Sequence, residues 1–80
     1  MREEYKDYYK KLGRKISYYR KLRNFTQESL AEAIRKSPTF ISHVEAPNIY
    51  KAISLDTLFD IACVLDIPAY KFLNSEDDLL

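Results

Sequence analysis

Residues 26–45, TQESLAEAIRKSPTFISHVE, hold two short helical signals separated by a tight break, and the rest of the chain is organised around them. Thr26 suits the first as an N-cap, since its hydroxyl can accept from an orphaned N–H of the opening turn, and Glu28 complements the positive helix end. Leu30, Ala31 and Ile34 then recur at helical spacing and give one apolar face. The pattern breaks at Arg35-Lys36. Ser37 followed by Pro38 reads as an N-cap and a first helical residue, because proline lacks only an N–H that would be unpaired there anyway. The second helix, at about residues 37–46, turns Ile41 and Val44 toward a core. Pro38, Thr39, Ser42 and His43 fall on another face.

A helix, a break of roughly three residues and a second helix make the geometry of a helix-turn-helix, whose second helix can enter a DNA major groove. At these residues the chain resembles the lambda-repressor/Cro-type family, also called XRE. Thr26, Gln27, Leu30, Ala31, Ile34, Ser37, Ile41, Ser42, Val44 and Glu45 carry the match, and the similarity runs from about Leu12 to Leu73. The resemblance implies an all-α, five-helix lambda-repressor-like DNA-binding bundle, to which the spacing of the amino-terminal tyrosines adds an extended first helix. It also implies sequence-specific binding of double-stranded DNA by a small transcriptional regulator, a repressor acting as a homodimer. Some members of the family bind proteins instead. The competing function is therefore an interaction module that holds a regulatory protein partner through the tyrosine-rich first helix.

On either side the pattern is helical. Tyr5, Tyr9, Leu12, Ile16 and Tyr19 form one stripe and predict a long first helix from about Glu3 to Arg23, with Gly13 inside it at some cost. Residues 1–11 read as an N-terminal extension, 12–73 as the Cro-type domain and 74–80 as an acidic tail. Tyr5, Tyr8 and Tyr9 either cover the edge of the core or form a dimer contact. Phe25 is placed to staple onto Leu30 or its neighbours. Pro47 ends the second helix of the motif. Ser54 caps a fourth helix, with Leu55, Leu58, Phe59, Ala62 and Leu65 on its buried face and Cys63 as a small core residue. Pro68 opens a last helix in which Tyr70, Phe72 and Leu73 are expected to close the core. Asn24, Arg35 and Asp66 stand where the family often has glycine; asparagine tolerates the left-handed backbone, whereas arginine does so at a cost.

Charge points toward an anionic partner. Residues 1–40 hold 11 Lys/Arg against 5 Asp/Glu, and residues 41–80 hold 2 against 7. A one-sided basic surface is the footprint of phosphate contact, although a solvated basic helix gives the same count. Gln27 matches the family glutamine that reaches a phosphate at a helix start, and Ser37 can both cap and touch phosphate. Thr39 and His43 match base-facing positions: a threonine methyl can meet a thymine methyl, and histidine can donate to guanine. Pro38 and Ser42 flank them, and Phe40 is read as packing near the turn. Lys36 is a DNA contact, and Arg14, Arg35, Asn48 and Lys51 are further candidates for phosphate. The resemblance makes Arg20 and Glu45 a partly buried structural ion pair.

Catalysis finds little support, with one histidine, one cysteine and one glycine in the chain. No cofactor or metal site is expected, since the acidic run Glu76-Asp77-Asp78 lacks the spacing and turn glycine of a calcium loop. The amino terminus lacks the apolar stretch of a signal peptide, and no run of about 18 apolar residues would span a bilayer. A lone Cys63 cannot form an internal disulfide. The expected setting is cytoplasmic.

Overall fold

Local signals start three of the helices of this protein and stop three, and they set much of the architecture. The computed structural model describes residues 2–74; the acidic run at residues 76–78 lies outside the described residues. A 3₁₀ turn at Glu3–Tyr5 leads into α1 (Lys6–Leu22), followed by α2 (Gln27–Ala33), α3 (Pro38–Glu45), α4 (Leu55–Leu65) and α5 (Tyr70–Leu73). Hydroxyls cap three of the starts. Thr26 accepts from the Ser29 N–H in a reciprocal capping box, Ser37 accepts from Phe40, and Ser54 accepts from Thr57.

The stops share one device. After α1, α2 and α4, respectively, Asn24, Arg35 and Asp66 adopt φ of 64°, 60° and 56°. At each, the following N–H bonds back to a carbonyl five residues earlier: Phe25 to Arg20, Lys36 to Ala31, and Ile67 to Ala62. This is the Schellman closure, which normally places glycine at the left-handed position. Here none of the three is glycine. The only glycine, Gly13, is needed elsewhere: it lies buried in α1, where an added Cβ would overlap the backbone carbonyl of Val44 at the end of α3.

The core gathers Ile16 and Tyr19 of α1, Leu30 and Ala31 of α2, Ile41 and Val44 of α3, and Leu58, Ile61 and Leu65 of α4, with Phe72 of α5 edge-on to Tyr19 at 5.2 Å. Several expectations of burial fail. Cys63 is exposed, as are Leu55 and Phe59 on α4 and Tyr70 and Leu73 around α5. The reason is geometric: the buried stripe of α4 runs through Leu58, Ile61, Ala62 and Leu65, and only α1 and α2 make substantial packing against that helix. Apolar residues off that stripe therefore have no neighbour to cover them. Similarly, the amino-terminal stripe sinks into the core at Ile16 and Tyr19, while Tyr5 at its start is exposed, as is Tyr8 beside it.

Cations in and just after α1 hold α4 and α5 by their carboxyl ends. The buried Lys15 ammonium donates to the Asn74 carbonyl just past α5, and Arg23 donates to the carbonyls of Leu65 and Asp66 at 2.9 and 3.1 Å. Both satisfy helix-terminal carbonyls at the negative dipole end. No helix among the described residues is long and apolar enough to cross a membrane.

Candidate nucleic-acid interface

The packing of α2 against α3 and of α3 against α1 leaves one side of α3 uncovered. Thr39, Ser42 and His43 lie on that exposed side, with Pro38 in the first turn and the Ser37 hydroxyl closing the amino-terminal end. A threonine methyl, two small hydroxyls and an imidazole can meet base edges or phosphates, and the helix start adds the Thr39 N–H, since Pro38 has none and those of Phe40 and Ile41 bond to Ser37.

Two lysines from different segments converge beside this helix. Lys36, in the turn, sets its ammonium 5.4 Å from the Phe40 ring centroid, and Lys51, from the loop after α3, sits 5.8 Å from the same ring. Phe40 is half-buried and packs on the core, so the ring is a fixed platform for both cations. The sequence placed both lysines among possible phosphate contacts and Phe40 in packing. It gave no sign that one ring would join them, because the Lys51 contact depends on the path of the loop.

Beneath the exposed face lies a buried brace. Arg20 donates to both carboxylate oxygens of Glu45, at 2.7 and 2.9 Å, and to the Phe25 carbonyl at 2.8 Å. The Gln27 amide donates to the same carboxylate at 3.0 Å. A two-pronged guanidinium–carboxylate pair fixes direction as well as distance. Here it fixes the end of α3 against α1 and the start of α2. Gln27 is thus part of the brace at the opening of α2, half-buried beside any phosphate it would reach.

Other candidates are not gathered on this face. Arg14 lines a groove with Tyr8, Leu55 and Leu73, and Arg35 borders a shallow depression with Asp60 and Cys63 of α4. Asn48 is exposed in the turn after α3. The excess of cations in residues 1–40 is also partly spent inside the fold, since Lys15, Arg20 and Arg23 bind carbonyls and a carboxylate. Lys36 and Lys51 are the two cations that ring contacts with Phe40 place beside α3.

The loop that carries Lys51 is moored to the amino-terminal extension. Tyr50 donates its hydroxyl to Glu3 at 2.9 Å, Lys6 pairs with Glu3 at 3.1 Å, and the Lys6 and Lys10 ammonium groups lie 5.8 and 5.9 Å from the Tyr50 ring centroid. Hydrogen bonds from Lys6 and Tyr50 hold the Glu3 carboxyl below its usual range, and the Glu3 partner raises both Lys6 and Tyr50. Sequence spacing had no means of pairing Tyr50 with residues so far upstream.

Residues 16–72 match the helix-turn-helix family model HTH_3. Among curated relatives, the HTH-type transcriptional regulator SinR of Bacillus licheniformis is 28% identical over 67 residues, which cover 84% of this chain. The chain spans 60% of that relative's length. Among solved structures, the clp gene regulator ClgR of Corynebacterium glutamicum superposes with a TM-score of 0.76 at 27% identity, over 82% of this chain and 68% of ClgR. The biofilm master regulator SinR, solved in complex with DNA, gives a TM-score of 0.71 at 27% identity, over 79% of this chain and 98% of that one.

Proposed function

We propose that this chain, which belongs to the XRE-type helix-turn-helix family, binds double-stranded DNA in a sequence-dependent manner as a transcriptional regulator, with α3 in the major groove. The observation that carries this is the exposed face of α3: Thr39, Ser42 and His43 stand clear of the core while Lys36 and Lys51 flank the same helix on a shared aromatic platform. His43 and Thr39 read bases. Ser37, Pro38 and the Thr39 N–H at the α3 start approach one phosphate, Gln27 a second, and Lys36 and Lys51 supply the cationic grip. The mode is that of a cytoplasmic repressor working as a homodimer, which doubles a modest set of base contacts over a two-fold site.

The contact set is small, and that has a measurable consequence. Two cations per protomer predict that log K falls against log salt with a slope of roughly −2 per protomer. The α3 face also lacks Arg, Asn and Gln, whose paired hydrogen bonds give the strongest base discrimination, so part of the specificity comes from DNA shape. Selection of bound duplexes from a randomised pool at moderate salt tests the proposal. It predicts an enriched motif with two-fold symmetry, whose preference relaxes in His43→Ala while binding to arbitrary duplex persists. Folded protein that recovers no duplex would overturn it.

A further inference from the structure

Away from α3, the described residues leave an apolar face uncovered. An open groove of about 440 Å³ runs between the amino-terminal part of α1, the start of α4 and the end of α5. Its walls include Tyr8, Leu12, Leu55, Phe72 and Leu73; Tyr8, Leu55 and Leu73 are 66%, 61% and 56% exposed. Aromatic and leucine side chains left this bare around a concave surface mark an interaction site more than a solvent boundary. The groove is also one-sided in charge. Lys11, Arg14 and Lys15 line it, and no aspartate or glutamate among the described residues does. Lys15 is buried on the Asn74 carbonyl, which leaves Lys11 and Arg14 at the exposed rim.

That charge selects among occupants. A second copy of the chain meeting this groove across a two-fold axis would bring a basic rim against its equal, with like charges facing. We infer that the groove docks an acidic amphipathic helix from a partner protein. Its apolar anchors, at helical spacing along one face, would enter between Tyr8, Leu55 and Leu73, and its flanking carboxylates would meet Lys11 and Arg14. No residue of α3 and neither lysine beside it lines the groove, so the partner and a duplex occupy separate surfaces. This inference goes beyond the DNA-binding proposal and does not depend on it.

Fluorescence anisotropy with a labelled helical peptide of Glu, Ala and Leu, its leucines at i, i+3, i+4 and i+7, tests the assignment against a control with Lys in place of Glu. The full chain is expected to bind the acidic peptide saturably and to ignore the basic one. Leu55→Glu and Lys11→Glu should each weaken the acidic peptide about tenfold or more, with circular dichroism and duplex binding unchanged. The double variant Lys11→Glu/Arg14→Glu should invert the preference toward the basic peptide. Equal binding of both peptides, or of neither, overturns the inference. Binding that emerges only when Glu76, Asp77 and Asp78 are neutralised to Gln, Asn and Asn overturns it in favour of the chain's own acidic segment. Self-association abolished by Leu55→Glu, with no peptide bound, overturns it in favour of a second copy.

Discussion

Two triads of the same chemical make-up tie the amino-terminal part of the chain to α3 and the loop after it, and they differ mainly in how much water they see. In one, Arg20, Glu45 and Gln27 meet at the end of α3, with the ion-pair side chains only 8% and 5% exposed. In the other, Lys6, Glu3 and Tyr50 meet at the loop after it, with the pair 41% and 74% exposed. Each has a cation, a carboxylate and a neutral hydrogen-bond donor. The buried triad carries a desolvation cost that only a complete set of partners offsets, so its members cannot be removed singly. The exposed triad exchanges freely with water and is screened by salt. One therefore fixes an angle, and the other biases the position of a loop.

The largest expected effect falls on the buried side. Glu45→Ala leaves the Arg20 guanidinium buried without its carboxylate and should cost about 3–5 kcal/mol in urea denaturation, a substantial share of a domain's stability. Arg20→Met/Glu45→Leu together should recover most of that loss. If the double variant is as unstable as the single one, the triad stabilises the fold itself and does more than set direction. Next comes Gly13→Ala, on the α1 surface that meets α3. An alanine in an unobstructed helix would stabilise by about 1 kcal/mol. The overlap with the Val44 carbonyl reverses the sign, to a loss of about 1–3 kcal/mol from overpacking. A stabilised variant would mean that the buried triad, and not the glycine clearance, sets the approach of the two helices.

On the exposed side the effects are local. Tyr50→Phe should leave the urea midpoint unmoved while amide exchange quickens in residues 3–10 and in the loop carrying Lys51; a shift comparable to that of Glu45→Ala would erase the distinction between the triads. The pH response is smaller still, and its sign is fixed by the shifts. The lowered Glu3 contributes fully above the ordinary carboxylate value of 4.5 and is lost as pH falls through its folded value. The raised Lys6 and Tyr50 contribute fully below 10.5 and 10.0 and are lost as pH rises through their folded values. The mooring should thus be complete between pH 4.5 and 10.0 and open first on acidification, reported by the Tyr50 ring signals. Ring signals flat through the acid range would remove Glu3 from the triad.

What could be read from the chain follows the range of the forces involved. Thr26, Ser37 and Ser54 were legible as caps because a hydroxyl and an N–H three residues on suffice to define the bond. The left-handed positions at Asn24, Arg35 and Asp66 were legible from glycine's usual place in the resemblance. Leu55, Phe59, Cys63, Tyr70 and Leu73 were misplaced because helical spacing identifies apolar rows but not which row meets a neighbour in so small a bundle. The basic half was legible as a count and not as a surface: Lys15, Arg20 and Arg23 turn inward to partners 59, 25 and 42 residues away. Of the candidate site, the α3 face was legible in the sequence. The lysine pair across Phe40 and the mooring of Tyr50 arise only once the loop is folded.

The three helix stops at Asn24, Arg35 and Asp66 also bear on how far this chain can change. Each non-glycine residue held left-handed forgoes stability, roughly 1–2 kcal/mol where no local hydrogen bond compensates, and arginine has less means of compensation than asparagine or aspartate. Glycine at any of them is a single-step source of stability that leaves the α3 surface unaltered. The fold therefore holds an undrawn tolerance for mutation. A lineage that took glycine at residue 35 first could then accept costly substitutions at Thr39, Ser42 or His43, and so change the exposed surface of α3 without passing through an unfolded intermediate.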